Sequence, residues 1–413
     1  MFKRRHWIPP GGLLFAQVAH GFSWLLLLWI ALTQSVAGIG APEIAWIHVV
    51  ALGWFTTAIL SILLHVVPAF TDVRWRFESA ARGALAVFAG GTVLFVACWF
   101  LARQWIATAG LIIAIAIAFF VVIAWITLSQ ARDAEKTERA IARALAIALS
   151  VLLAVAILGT MLAFAVSGFA SPTWLLHVPA AHANLAFYGW LSLMIYGISA
   201  RTVRPITGNK SRFPWTHITV GAGTLIGAPL LAIGLGIANG TIVAVGAVLV
   251  AIAAAEYIVD IIDILARADV PHRPPQAFIA ASIAWLAVAL CFGAVTLGGA
   301  SLEMAYGFVL LVGWVGQMIN AHVMHIGVRL LATIYLGDED ETRPSELLDP
   351  RRSWICFALM QLAIALCVAG FARFDHALIA AGAAIGFVAW VVLVSNLAYA
   401  RRVAKTPRKE IVL

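Results

Sequence analysis

Residues 104–130 read QWIATAGLIIAIAIAFFVVIAWITLSQ, an apolar run in which no side chain is charged. A helix needs about 20 such residues to cross the ~30 Å hydrocarbon layer of a bilayer. The rest of the chain has the same character, because its 413 residues are 63% hydrophobic and only 11% charged. Soluble proteins are about 45–50% apolar and about 25% charged, so this composition excludes a soluble fold.

Twelve runs of this kind predict an all-α polytopic membrane bundle that forms a single domain over residues 1–413. The connections between the runs are short, so no separate soluble domain is expected. The longest connection, near residues 336–352, is acidic. The predicted spans lie near residues 11–37, 43–68, 80–101, 104–130, 141–168, 176–200, 215–238, 241–265, 276–297, 302–330, 353–371 and 376–400.

The basic residues predict the orientation of the chain, which has a formal net charge of +8. They are concentrated in every second connection, and the opposite side carries only Arg103 and Arg373. Lysine and arginine are enriched on the cytoplasmic side of membrane proteins, so we expect both termini in the cytoplasm and the protein in the inner membrane. Because the basic residues separate apolar runs, they indicate a lipid bilayer as the partner and argue against nucleic acid.

The four cysteines exclude several kinds of site. Cys98, Cys291, Cys356 and Cys367 each fall inside an apolar run, and no CxxC or CxxCH motif occurs. Disulfides, a structural zinc site and covalently attached c-type haem are therefore not expected.

A local pattern recurs in every fourth predicted helix. A Gly-Trp pair is followed, twelve residues after the glycine, by a histidine or an arginine. The pairs are Gly53-Trp54, Gly189-Trp190 and Gly313-Trp314, in helices 2, 6 and 10, and they lead to His65, Arg201 and His325. The spacing predicts an internal repeat of three arcs of four helices. The alternative is a chance recurrence in a chain with 33 glycines and 16 tryptophans.

The histidines inside the spans are the leading candidates for a functional site, because ionisable residues in a membrane are costly. His48 and His182 open helices 2 and 6 at the outer face, whereas His65 lies near the inner end of helix 2. Seventeen residues separate His48 from His65, or roughly 25 Å along a helix, so they cannot bind one cofactor. His322 and His325 are spaced i, i+3 in the inner half of helix 10 and share one face.

Buried imidazoles in an apolar bundle suit haem iron first and copper second. We therefore expect His48, His182, His65, His322 and His325 as cofactor ligands, with all of these except His65 also suited to a bound metal. The competing interpretation is that each imidazole only hydrogen-bonds a backbone carbonyl or another polar side chain. Glu256 on helix 8 is predicted to share a leaflet with His322 and His325, where it would relay protons.

Three segments carry a resemblance to known families. Residues 182–197, HANLAFYGWLSLMIYG, resemble the helix that opens with a haem-ligating histidine in subunit I of haem–copper oxidases, above all in the cbb3 and nitric-oxide-reductase branch. Residues 47–68, IHVVALGWFTTAILSILLHVVP, resemble helix 2 of that family, which carries an axial histidine of the low-spin haem. Residues 194–208, MIYGISARTVRPITG, are similar to a segment of the NnrS-like proteins, which have twelve helices, bind haem and copper and are linked to nitric-oxide stress.

The resemblance implies a b-type haem, with His48 as an axial ligand and His182 as an axial or copper ligand. It covers the whole chain by helix count but only these segments by motif. Oxygen-reducing subunits carry a His-x-His pair on helix 10 and an adjacent His-His pair on helix 7. Here helix 7 has only His217, helix 10 has the i, i+3 pair, and Asn184 follows His182 where a His-x-His would have its second histidine. An oxygen-reducing copper centre is therefore not expected.

Three functions follow from these observations. The first is a haem-binding protein, with copper as a second candidate metal, that acts in electron transfer or in nitric-oxide or metal handling. Its partner would be an electron-donor protein or a second membrane subunit. The second is a proton-coupled transporter that uses buried histidines and Glu256. The third is an accessory or assembly subunit that keeps the fold without a cofactor. Oxidoreductase activity is left open.

Overall fold

The computed structural model describes residues 10–33, 39–133, 135–169, 173–213, 215–269, 273–337 and 344–405. Every regular element among them is helical. Twelve long helices occur in these ranges: α1 (Pro10–Thr33), α2 (Ala41–Thr71), α3 (Glu78–Leu101), α4 (Ile106–Leu128), α5 (Lys136–Val166), α6 (178–207), α7 (Thr216–Gly236), α8 (Gly240–Ala266), α9 (Pro274–Leu297), α10 (Glu303–Leu336), α11 (Pro350–Arg373) and α12 (His376–Lys405).

Eleven of these helices are long and apolar enough to cross a membrane, within the part of the chain that the structure describes. The protein is therefore a multi-pass membrane protein in its architecture, as the composition predicts. Helix α6 is not among the eleven, although it is continuous over 178–207. Polar residues such as His182, Asn184 and Arg201 interrupt its apolar sequence. The twelfth crossing and the orientation of the termini remain predictions.

Several helices extend beyond their predicted ends. Helix α10 continues to Leu336 and α12 continues to Lys405, because polar and basic residues at a helix end do not stop a helix once it leaves the hydrocarbon layer. Helix α2 ends where Asp72 takes a left-handed backbone conformation with φ of 52°. Residues 338–343, which include four acidic side chains of the longest predicted connection, lie outside the described residues.

The backbone contacts divide the chain into two compact units. The N-terminal unit takes the described residues of Ile8–His20 and Ile39–Arg267, which include α2 to α8. Consecutive helices in it are neighbours, from α2 against α3 to α7 against α8. The closest of these crossings is formed by α7 and α8, since a Cβ added at Gly246 would lie 2.3 Å from the backbone nitrogen of Leu231.

The C-terminal unit takes the described residues of Gly21–Gly38 and Ala268–Leu413, which include α9 to α12. Helix α9 packs on α10, and α11 packs closely on α12. A Cβ at Gly382 of α12 would lie 2.5 Å from the Cys367 sulfur of α11, so glycine allows this approach. The second half of α1 also belongs here, and its Trp24 lies against Gly386 of α12.

Candidate functional site

The Gly-Trp pairs lie in the same unusual backbone conformation in all three helices. An eight-residue π-helical segment surrounds each pair: Val49–Thr56 in α2, Leu185–Ser192 in α6 and Val309–Gly316 in α10. Each segment begins four residues before the glycine. π-Helical segments are rare and frequently occur at functional sites. Equivalent placement in three helices supports a repeat over chance recurrence of Gly-Trp pairs.

The glycine of each pair has an equivalent packing role. A Cβ added at Gly53 would lie 3.0 Å from Ala19 of α1, and one at Gly189 would lie 2.8 Å from Val151 of α5. One added at Gly313 would lie 3.0 Å from Trp285 of α9. Each Gly-Trp helix therefore approaches the helix that precedes it in sequence. This confirms the local repeat for helices 2, 6 and 10, whereas the predicted arrangement in three arcs stays a prediction.

The three tryptophans are fully buried, and two of them make contacts that the sequence alone does not reveal. Trp190 Nε1 donates a hydrogen bond to Thr56 Oγ1 at 3.3 Å, which joins the π-helical segments of α6 and α2. The imidazole of His20 stacks on the indole of Trp54, with ring centroids 3.4 Å apart and planes 9° apart. His20, which the sequence places near mid-membrane, is thus a packing partner of the repeat.

The structure brings together two of the predicted site residues, His48 of α2 and His182 of α6. Their ring centroids are 6.5 Å apart, and the ring planes differ by 17°. His48 directly precedes the π-helical segment of α2, and His182 lies three residues before that of α6. At this spacing the nearest ring nitrogens are at least ~4 Å apart, which is too long for a direct hydrogen bond. The two imidazoles are therefore neighbours that do not hydrogen-bond each other directly.

Hydrogen bonding leaves one particular nitrogen of His48 available as a ligand. Its Nδ1 lies 2.7 Å from the carbonyl oxygen of Ile44, one turn earlier in α2. A carbonyl only accepts, so Nδ1 carries the proton and Nε2 keeps its lone pair. Histidines that bind metals are commonly oriented in this way by a backbone carbonyl.

His182 is held by close packing. A Cβ added at Gly159 of α5 would lie 2.9 Å from its Cε1 atom, so the glycine makes room for the ring. Its Nδ1 atom is buried and has no hydrogen-bond partner among the described residues. On the other side of the pair, the ring of Phe95 lies 5.0 Å from the ring of His48. The surroundings are thus apolar, with one imidazole nitrogen lacking a partner.

His65, the third predicted ligand of the N-terminal unit, is half-buried near the end of α2 and is not part of the pair. His65 and His325 belong to different units, so their expected meeting stays a prediction.

The histidine pair of α10, His322 and His325, has a different environment. His322 Nδ1 lies 2.7 Å from the Met318 carbonyl, the same contact with the preceding turn that His48 makes. A second π-helical segment, Val323–Gly327, begins directly after it. His325 experiences the charges of Arg273 and Arg329. Two cations near His325 would disfavour a bound metal cation there, whereas the contacts described for His48 and His182 include no charged side chain.

Glu256, the predicted proton relay, makes a hydrogen bond to the neighbouring helix. Its carboxylate accepts a hydrogen bond from the Thr219 hydroxyl at 2.5 Å, in the first turn of α7. This pair connects α8 to α7 within the N-terminal unit. Nothing in that unit links Glu256 to an imidazole among the contacts that the structure describes, and its role as a proton relay stays a prediction.

The donor set was also compared with the needs of copper and of haem. Over the described ranges, no group of three or more histidine, cysteine, aspartate or glutamate side chains is placed to hold a metal ion. Copper sites in proteins are commonly built from three such ligands, whereas haem needs only one or two axial ligands. Two imidazoles on opposite sides of one metal ion, each with a metal–nitrogen distance of ~2 Å, have ring centres ~6 Å apart. The 6.5 Å between the ring centroids of His48 and His182 is close to this value.

No protein-family model matches the sequence, and no curated protein is significantly similar to it.

Proposed function

We propose that this protein is a haem-binding membrane protein and that His48 and His182 are the axial ligands. The observation that carries the proposal is the spacing of the two rings, 6.5 Å between centroids with nearly parallel planes. It is supported by the orientation of His48 through the Ile44 carbonyl, and by the buried Nδ1 atom of His182 that lacks a described partner.

The apolar surroundings agree with this proposal. Phe95 lies beside His48, and Gly159 lies against His182, so neither imidazole has a charged neighbour in these contacts. Haem is a large apolar plate and is retained by such surroundings. When bound, it would supply one-electron redox chemistry. The protein itself orients His48 through the Ile44 carbonyl and packs the His182 ring against Gly159 of α5.

The role that fits these features is electron transfer or the handling of nitric oxide, in line with the resemblance to oxidase subunit I and to NnrS-like proteins. Copper is the second candidate metal, and it would require ligands beyond the two imidazoles. Oxygen reduction is not proposed, because the sequence lacks the histidine pairs of an oxygen-reducing centre. The electron donor would be a separate protein or a second membrane subunit.

The test is a dithionite-reduced minus oxidised spectrum of the purified protein, together with a pyridine haemochrome assay. We expect a sharp Soret band, an α band and b-type haem in the wild-type protein. His48→Ala and His182→Ala should both lose these bands, because each removes one axial ligand.

Two matched controls locate the site. His217→Ala changes an exposed histidine in the first turn of α7, and His65→Ala changes the other histidine of α2. Both should keep the wild-type spectrum. Loss of the bands only in His65→Ala or His325→Ala would move the site to the inner ends of the helices. A protein that takes up no haem during expression with added haem would contradict the proposal and favour the transporter.

A further inference from the structure

The C-terminal unit contains a polar side chain whose surroundings do not account for it. Asn320 lies in the middle of α10 and is 0% exposed. Neither its Oδ1 nor its Nδ2 atom has a hydrogen-bond partner in the described part of the protein. A carboxamide has two donors and an acceptor oxygen with two lone pairs. Leaving all of them unpaired in a bundle surrounded by lipid is costly, so a bonding partner is to be expected.

Two glutamine amides and a tryptophan indole form a hydrogen-bonded chain across three helices, and one member, Gln317, lies near Asn320 in sequence. Gln317 precedes Asn320 by three residues in the same α-helical block, Gln317–His322, so both face one side of α10. Gln361 Nε2 of α11 donates to Gln317 Oε1 at 2.6 Å. Trp285 Nε1 of α9 donates to Gln361 Oε1 at 3.0 Å. Trp285, Gln361 and Gln317 therefore form a row of hydrogen-bonded polar side chains inside the C-terminal unit.

The backbone around Asn320 is distinctive as well. The block Gln317–His322 lies between two π-helical segments, Val309–Gly316 and Val323–Gly327. In the described residues, α10 is the one repeat helix with a second such segment. Because π-helical segments often mark functional sites, the irregular backbone on both sides of Asn320 is a second indication of a ligand.

The charge of the site limits the kind of ligand. No lysine, arginine, aspartate or glutamate occurs in residues 304–328 of α10, in α9, or in residues 353–372 of α11. Arg329 is the charged residue of α10 nearest to Asn320, and nine residues separate the two, so a charged ligand would find no counter-charge beside Asn320 on α10. The ligand must therefore be neutral, small enough for a fully buried site, and able to donate and accept hydrogen bonds. Water meets all three requirements.

We propose that Asn320 anchors a buried water site in the C-terminal unit and that the amides of Gln317 and Gln361 extend it. The water satisfies both polar atoms of Asn320. It also places a bound water in the membrane-embedded part of α10, next to the turn that carries His322. This inference is independent of the proposed haem site, which lies in the N-terminal unit.

X-ray radiolytic footprinting of the purified protein, with water as the probe, tests the proposal. Radicals formed from bound water oxidise neighbouring side chains even when these are buried. Met324 follows Asn320 by four residues and is 1% exposed. We expect its oxidation to be several-fold faster than that of Met194, a control in the N-terminal unit that is 2% exposed. Equal slow rates for the two methionines would overturn the proposal.

The variant Asn320→Leu removes the anchor at similar volume and should lower the Met324 rate to that of Met194. Asn320→Ser, which keeps a hydroxyl, should retain fast oxidation and serves if the leucine variant does not fold. The proposal would be overturned if Asn320→Leu left the Met324 oxidation rate unchanged and raised the unfolding temperature. That result would mean that the Asn320 amide has no bound partner in the wild-type protein.

Discussion

At the scale of single residues, the glycine next to His182 is as important to the site as the histidine. Gly159 lies on α5, and a Cβ there would lie 2.9 Å from His182 Cε1. The contact is with a side-chain ring, so the ring must shift while the helix remains. We expect Gly159→Ala to fold normally but to bind haem more weakly or with shifted Soret and α bands. The reduced-minus-oxidised spectrum measures this change.

A second glycine provides the control for the packing of His182. Gly90 of α3 has nothing within 4 Å of an added Cβ. Gly90→Ala should keep the wild-type spectrum and raise stability by about 0.5–1 kcal/mol, because alanine loses less conformational entropy in a helix. If both variants had the same spectrum, the contact between Gly159 and His182 would have no role in ligand placement.

The sequence was informative about which residues are candidates and much less about their partners. His48 and His182 stand out because imidazoles are rare in apolar runs. Their contact depends on the packing of α2 near α6, which involves residues far apart in sequence. Asn320 and Gln317 are visible as polar residues in the run QMINAH, but their burial and the link to Gln361 require the tertiary structure. Gly159 has no signal in the sequence.

At the scale of helices, the hydrogen bond between Trp190 and Thr56 is expected to couple the π-helical segments of α6 and α2. Trp190→Phe and Thr56→Val each remove one partner of this bond. Each should destabilise the protein by about 0.5–1.5 kcal/mol, the usual net contribution of one buried hydrogen bond. The double variant should cost less than the sum, with an interaction free energy of about 1 kcal/mol.

This double-mutant cycle is measured from unfolding curves in a mild detergent. Additive effects would mean that the indole and the hydroxyl stabilise their helices separately. The equivalent tryptophans of the repeat have different partners, because Trp54 stacks on His20 and Trp190 donates a hydrogen bond to Thr56. The sequence predicted the shared Gly-Trp spacing, but the π-helical backbone was not predictable, because hydrophobic periodicity over eight residues does not distinguish π from α geometry.

At the scale of the whole molecule, composition and hydropathy were sufficient to predict a multi-pass helical membrane protein. They do not decide whether α6 crosses the membrane. If α6 crosses the membrane, the chain on its two sides lies on opposite faces. Phe169 precedes α6 and Lys210 follows it, and both are exposed. The arginines near its end, Arg201 and Arg204, favour a cytoplasmic position for that end.

A cysteine-free variant, with Phe169→Cys or Lys210→Cys introduced singly, tests this crossing with a membrane-impermeant maleimide. We expect Phe169→Cys to react in intact cells and Lys210→Cys to react only after permeabilisation. Gln104→Cys, in the exposed connection between α3 and α4, is the control for the outer face. Reaction of both test positions from the same side would mean that α6 does not cross. His182 would then not open a helix at the outer face, and the proposed haem ligation between α2 and α6 would lose its topological basis.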